Sequence, residues 1–292
     1  MKLKIEHLNK TYANGVKALD DLSLEIETGM FGLLGPNGAG KSSLMRTLAT
    51  LQEADSGTIY LGDIDVLKNP EAVRKVLGYL PQEFGVYPKI TAKQLLDHLA
   101  ILKGVVHHKE RKELVNYLLQ KVNLYEKRNK AVKSFSGGMK QRIGIAQALI
   151  GTPELIIVDE PTAGLDPGER NRFHNLLADV AENIIVILST HIVEDVRELC
   201  QHMAIMNNGQ LICKGKPQTV IEELKGQVWQ KMISRNELEH YSQEYRVISN
   251  KMIGGKPLIH VLGNQQPGEG FKQVVPTLED VFFSKINTVL PS

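Results

Sequence analysis

The feature that most constrains this chain is a short glycine-rich loop between an apolar run and a helical pattern. Residues 30–34 are apolar and lead straight into Gly35-Pro36-Asn37-Gly38-Ala39-Gly40-Lys41-Ser42, after which residues 42–51 show helical spacing. The loop matches G-x-x-x-x-G-K-[ST]. Its glycines let the backbone turn sharply, so that several N–H groups point at one anion. A helix that starts there presents its positive end to the same anion. Gly35, Pro36, Asn37, Gly38, Ala39, Gly40, Lys41 and Ser42 are therefore expected to cradle a nucleoside triphosphate. Lys41 would reach the β- and γ-phosphates, and the Ser42 hydroxyl would serve Mg²⁺. A dinucleotide fingerprint fits poorly, because neither Gly35 nor Gly38 opens a G-x-G-x-x-G.

The surrounding pattern is that of an α/β chain. Residues 3–8 and 22–26 read as strands with a turn at Ala13-Asn14-Gly15. Residues 91–103 and 109–122 carry apolar positions at helical spacing, which predicts a mostly helical insertion between about 90 and 150. Residues 155–158 and 184–188 are continuous apolar runs, as expected of parallel strands covered on both faces, with a connecting helix over 169–180. Residues 203–206 and the turn Asn207-Asn208-Gly209 follow. The pattern then loosens into a helix near 218–224 and strand-like runs at 245–249 and 258–262, as in a small separate α/β module.

Composition limits the alternatives. With 292 residues, 42% hydrophobic and 23% charged, the chain can bury a sizeable core and is neither disordered nor fibrous. Its net charge of +2, from 35 basic and 33 acidic residues, provides no global field for nucleic acid. Cys200 and Cys213 are too few for a disulfide framework and fit a reducing cytoplasm. The opening residues lack the apolar core of a signal peptide, and no apolar run reaches the length of a membrane span. Any work at a membrane would need another polypeptide to cross it.

Four further motifs narrow the reading. Ser136-Gly137-Gly138 opens a helical pattern over 139–149, a second anion-facing helix start on one chain. Asp159-Glu160 closes the strand at 155–158, where α/β sheets place their ligand crevice. By strand alternation Glu160 should point opposite to Asp159. Gly164-Leu165-Asp166-Pro167 and Ser189-Thr190-His191 complete the series. With the phosphate loop, these motifs strongly resemble the nucleotide-binding subunit of an ATP-binding cassette (ABC) transporter over residues 1–220.

The resemblance implies an α/β P-loop core with an antiparallel β subdomain, a helical subdomain at about 83–148 and a C-terminal accessory domain at 221–292. It also assigns roles. Glu160 would polarise the attacking water, His191 would contact the γ-phosphate and orient water and glutamate, and Asp159 and Gln82 would join Ser42 at Mg²⁺. Tyr12 would stack on adenine, a sequence-tolerant contact. Two cassettes would pair head to tail as a homodimer or heterodimer, Ser136, Gly137 and Gly138 of each completing the other's ATP site, with Asp166 at the shared interface. Two positions depart from the usual pattern: Ser43 replaces the more frequent threonine but keeps a hydroxyl, and Phe135 stands where leucine precedes the signature serine.

An integral membrane permease, with no nucleic acid, is the implied partner, and the cytoplasmic face of the membrane the implied location. Chromosome-structure and repair members carry long insertions or cysteine clusters that the span between Lys41 and Ser136 excludes. The alternative is a soluble ABC-type ATPase acting on ribosomes or other machinery. Residues 276–283, Pro-Thr-Leu-Glu-Asp-Val-Phe-Phe, are similar to a closing segment of ABC-2 type cassettes, which favours export; the same segment reads as an amphipathic helix with Leu278, Val281 and Phe282 on one face.

Overall fold

Apolar runs without polar alternation need cover on both faces, and the central sheet supplies it. A computed structural model describes residues 1–286 apart from 83, 84, 86–88 and 163. Strands β1 (Lys2–Thr11) and β2 (Lys17–Glu27) pair antiparallel, and β3 (Gly29–Leu34) delivers the chain through the glycine loop into α1 (Lys41–Leu48). Next come β4 (Ser56–Leu61), β5 (Ile64–Asp65), α2 (Pro70–Val76) and β6 (Leu77–Leu80). The helical region holds α3 (Ala92–Leu102), α4 (His108–Lys121) and α5 (Gly137–Ala148). Its expected start at residue 83 lies outside the described residues.

The α/β alternation then resumes with β7 (Leu155–Asp159), α6 (Pro167–Ala181), β8 (Ile185–Thr190), α7 (Val193–Leu199), β9 (His202–Asn207) and β10 (Gln210–Gly215). The tail comprises α8 (Pro217–Glu222), β11 (Val228–Met232), α9 (Leu238–Glu244), β12 (Val247–Ile253), β13 (Lys256–Leu262), β14 (Lys272–Gln273) and α10 (Leu278–Ile286). Helix α1 is shorter than its apolar pattern suggests: it ends at Leu48, and Leu51 is exposed.

The central sheet has six strands in the order β10-β9-β3-β8-β7-β6, parallel from β9 to β6. Each parallel strand divides its side chains between two cores. Met30 and Leu34, Ile156 and Val158, and Val186 and Leu188 face one, which the helices cover. Phe31 and Leu33, Leu155 and Ile157, and Ile185 and Ile187 face the other, closed by α1 and the antiparallel sheet β2-β1-β4-β5. Burial on both sides is why these runs show no alternation of polarity. Phe135, larger than the usual leucine, is accommodated in the helical core at 5% exposure.

The tail combines two kinds of packing. A third sheet, β12-β13-β11-β14, encloses a small core of Ile233, Ile259, Val261 and Phe271 with Trp229, Tyr241 and Tyr245 against it. Helix α10 instead returns to the main body: Leu278, Val281 and Phe282 are buried in the helical core, against α7 and α8. The amphipathic face read from residues 278–282 thus has its partner. The polar side of α10 is tied to the third sheet by His260 Nδ1, 2.6 Å from Asp280 Oδ1, and by an ion pair between Lys251 and Glu279.

Asp280 is 2% exposed and also accepts hydrogen bonds from the Thr277 N–H and hydroxyl, each at 2.8 Å. Burial alone would raise its pKa; the bonds from His260 and Thr277 outweigh burial and hold the carboxyl below its ordinary value. A carboxyl depressed in the folded state stabilises above its unfolded pKa, near pH 4, and loses that contribution as pH falls through the lower folded value. Protection factors of the α10 amides, corrected for the intrinsic rate at each pH, should therefore fall on acidification below about pH 4. Asp280→Asn should show faster exchange at neutral pH and a weaker acid dependence. Equal acid dependence in the two proteins would contradict the assignment.

Candidate active site

The site is assembled by strand register. Leu34 of β3 lies opposite Thr190 of β8, and Asp159 of β7 lies opposite Ser189, so three adjacent parallel strands end at one level. The loop after β3 carries Gly35–Lys41, the turn after β7 carries Glu160, and the turn after β8 carries His191. Motifs more than a hundred residues apart in the chain are thereby brought to one edge of the sheet.

Gly38 and Gly40 adopt φ +82° and +104°, which an L side chain rarely reaches. Space is as restrictive at two of the loop's glycines. A Cβ on Gly40 would stand 2.2 Å from the Ala18 carbonyl oxygen, and one on Gly35 would stand 2.6 Å from that of Met206. The β9–β10 hairpin buttresses the loop through a hydrogen bond from the Gly209 N–H to the Ala39 carbonyl, 3.0 Å. Gly40 is the N-cap of α1 and offers no side-chain acceptor, so the first N–H groups of the helix remain available to an anion.

Lys41 is 5% exposed and folds back to donate to the carbonyls of Gly35 at 2.6 Å and Pro36 at 3.2 Å. Its ammonium stands 4.0 Å from Glu160 Oε1. Burial pulls the lysine pKa down, partly offset by the charges of Glu160 and Asp159. A triphosphate would act in the same direction as those carboxylates and favour the charged form.

Glu160 differs from the strand reading. β7 ends at Asp159, and Glu160 turns out of the sheet with φ +47°, so alternation does not set its direction. Such a backbone costs roughly 1–3 kcal/mol and persists only where its surroundings hold it. Here its N–H donates to the Ser189 carbonyl at 2.8 Å and its Oε2 lies 2.6 Å from His191 Nδ1. The carboxylate is therefore shared between the lysine and the histidine. His191, half exposed, also lines a cavity of about 310 Å³ with Leu278 and Phe282 of α10, which puts the tail beside this edge of the sheet.

Asp159 is 7% exposed, and among the described residues its Oδ1 and the neighbouring Ser189 hydroxyl are buried atoms without a hydrogen-bond partner. Burial raises the Asp159 pKa, reinforced by the charge of Glu160 and opposed by that of Lys41. An unspent buried carboxylate oxygen beside a phosphate cradle suits a hard divalent cation with oxygen ligands. Ser42, on the first turn of α1, and Gln82, beyond β6, are both exposed. Residues 83 and 84, next to Gln82, lie outside the described residues.

Tyr12 sits against α1. Its hydroxyl is 3.0 Å from that of Ser43 and donates to Gln52 Oε1 at 2.8 Å, leaving the residue 37% exposed. Serine at position 43 thus keeps a use for its hydroxyl. Gln52, silent in the sequence, is the second tether of this ring.

Ser136 caps α5, accepting from the Met139 N–H at 3.3 Å, and both Ser136 and Gly137 are exposed. Gly138 has a packing reason of its own: a Cβ there would meet Glu169 of α6 at 2.4–2.9 Å. Glu169 also pairs with Arg142 at 3.3 Å, holding α5 on α6. Asp166 caps α6, accepting from the Glu169 N–H at 3.0 Å, and is exposed. Glu169 and Arg142 carry no motif, and only contact reveals them.

A cradle that meets a carboxylate and a histidine across three neighbouring strands, with a second exposed, glycine-bearing helix start on the same chain, defines a P-loop ATPase of the cassette class. Comparison with known proteins agrees. The profile of the family "ABC transporter" matches residues 19–163. The chain is 34% identical over 248 residues to the uncharacterized ABC transporter ATP-binding protein YxlF of Bacillus subtilis, covering 85% of this chain and 81% of that one. It is 36% identical over 227 residues to the linearmycin resistance ATP-binding protein LnrL of the same organism, covering 77% and 72%. Among solved structures, the dimeric post-hydrolysis state of the ATP-binding cassette MJ0796 bound to ADP and Pi superposes with a TM-score of 0.67 at 26% identity, covering 73% of this chain and 98% of that one. This chain belongs to the family of ABC transporter ATP-binding proteins, and it is an ATPase.

Replacing Gly40 by alanine forces its Cβ into the Ala18 carbonyl at an unfavourable φ. ATP affinity should fall roughly ten- to a hundredfold, or about 1.4 to 2.8 kcal/mol, measured with a fluorescent ATP analogue. Native affinity in the variant would show that the loop geometry is not what binds the nucleotide.

Proposed function

We propose that this chain powers an exporter by closing and opening a dimer of cassettes around ATP, working on a separate membrane permease. The observation that carries the catalytic part is Glu160, placed between Lys41 and His191 at 4.0 and 2.6 Å. In that position the carboxylate can accept a proton from a water aligned with the γ-phosphate, while the imidazole holds carboxylate and water in line. Lys41 would leave its loop carbonyls for the β- and γ-phosphates, neutralising charge that spreads over the phosphoryl oxygens. Ser42, Gln82 and Asp159 would hold Mg²⁺, which would supply neutralisation of phosphate charge. Tyr12 would cover the adenine face.

The dimer reading rests on Ser136 and Gly137. Their helix start is exposed and would serve as a second anion site, one that a single ATP in one subunit does not need. Set against the γ-phosphate of a facing subunit, with Asp166 beside it, it would make ATP part of the interface. Hydrolysis removes that differential affinity and lets the pair open. Among the described residues no helix is long and apolar enough to cross a membrane, so a permease would carry the cargo. The resistance role named for LnrL, together with the closing segment 276–283, supports export and a place at the cytoplasmic membrane face.

Glu160→Gln should bind ATP with native affinity while kcat falls roughly 10²–10⁴-fold, the usual contribution of a general base, as measured by phosphate release. Near-native turnover would remove Glu160 from the chemistry. Ser136→Arg should abolish turnover yet leave nucleotide binding to the monomer intact, read by titration at low protein concentration. A matching loss of monomer affinity would refute the shared site.

A further inference from the structure

Behind the Glu160–His191 pair lies a second link between the same two turns. Asp195, in the first turn of α7, is wholly buried, at 0% exposure. Its Oδ2 accepts the Thr162 hydroxyl at 2.5 Å, its Oδ1 accepts Arg170 Nε at 2.7 Å, and His174 Nε2 lies 2.9 Å from Oδ1. Thr162 is two residues beyond Glu160, and Asp195 is four beyond His191. The two turns are thus joined twice: once at the reacting edge, where Glu160 meets His191, and once in the interior.

We propose that Asp195 is a positioning residue for hydrolysis, acting through Thr162 to hold Glu160 and His191 in register. This rests on the roles assigned above to those two residues. Glu160 keeps a left-handed backbone, which relaxes unless both sides of the turn are held. The Ser189 carbonyl holds the near side, and the Thr162–Asp195 bond holds the far side. The phosphate cradle comes from β3 and α1 and includes none of these groups. Losing the interior link should therefore misplace the base without loosening ATP, since small displacements of a reacting group cost far more in rate than in binding. A role confined to neutralising Arg170 would lower stability and leave the rate per folded molecule alone.

The test uses the full chain with steady-state ATPase kinetics below the melting temperature of every variant. Thr162→Val keeps the shape and removes the hydroxyl; Thr162→Ser keeps the hydroxyl. The valine variant should lose roughly ten- to a hundredfold in kcat with KM nearly unchanged, and the serine variant should recover most of it. Asp195→Asn, where it folds, should lose at least as much. If it does not fold, the threonine pair decides. Native kcat in Thr162→Val, a KM rising in step with the loss, or equal losses in valine and serine variants would overturn the proposal. Glu160→Gln run in parallel separates the two layers. If it still turns over, the site reading falls and this inference with it; if it is dead while Thr162→Val is native, only the inference falls.

Discussion

Parallel register between β3, β8 and β7 is the constraint on which the rest depends. Three strands must end level for a lysine, a carboxylate and a histidine from distant parts of the chain to share one edge, and the pairs Leu34–Thr190 and Asp159–Ser189 set that level. A one-residue slip in any of them would send its side chains to the opposite core. Because each strand is apolar toward both cores, the cost of such a slip lies less in burying polar groups than in mismatched shape on both faces. The site is therefore as rigid as the sheet beneath it. Its reacting groups stand on the turns that leave the sheet.

Those turns work by leaving polar groups unspent. Among the described residues, the N-terminus of α1 has no side-chain cap, Asp159 Oδ1 and the Ser189 hydroxyl have no hydrogen-bond partner, and Lys41 rests on carbonyls of its own loop. Each arrangement is costly by itself, since buried polar atoms ordinarily find partners. Together they set open backbone N–H groups and a lysine beside a buried carboxylate, which a triphosphate and a divalent cation would satisfy at once. The strain at Glu160 belongs to the same pattern: a left-handed residue held by Ser189 is kept where it meets both Lys41 and His191.

How much of this the sequence discloses varies with the kind of interaction. The phosphate loop is legible because its glycines answer to backbone geometry, which leaves a local mark: φ of +104° at Gly40 and a carbonyl 2.2 Å from its missing Cβ. The apolar runs of β7 and β8 are legible because double-sided burial suppresses alternation. The face of α10 is legible from its spacing, although what it covers is not. Asp195 leaves no mark at all, since its partners Thr162 and Arg170 are 33 and 25 residues away and no spacing rule links them. Glu169 under Gly138 is hidden for the same reason, and Glu160 escapes the alternation rule because the strand stops one residue before it. β11 and β14, the latter two residues long, are strands only by virtue of their pairing and carry no periodic pattern of their own.

The central question is whether one triphosphate is held by two chains. A crystal structure of the Glu160→Gln protein with ATP and Mg²⁺ answers it directly. It should place the phosphates between residues 35–42 of one protomer and residues 136–138 of its partner, with the substituted amide side chain at position 160 facing the γ-phosphate. Nucleotide enclosed within a single protomer, with Ser136 turned to solvent, would contradict the shared site and the dimer cycle built on it.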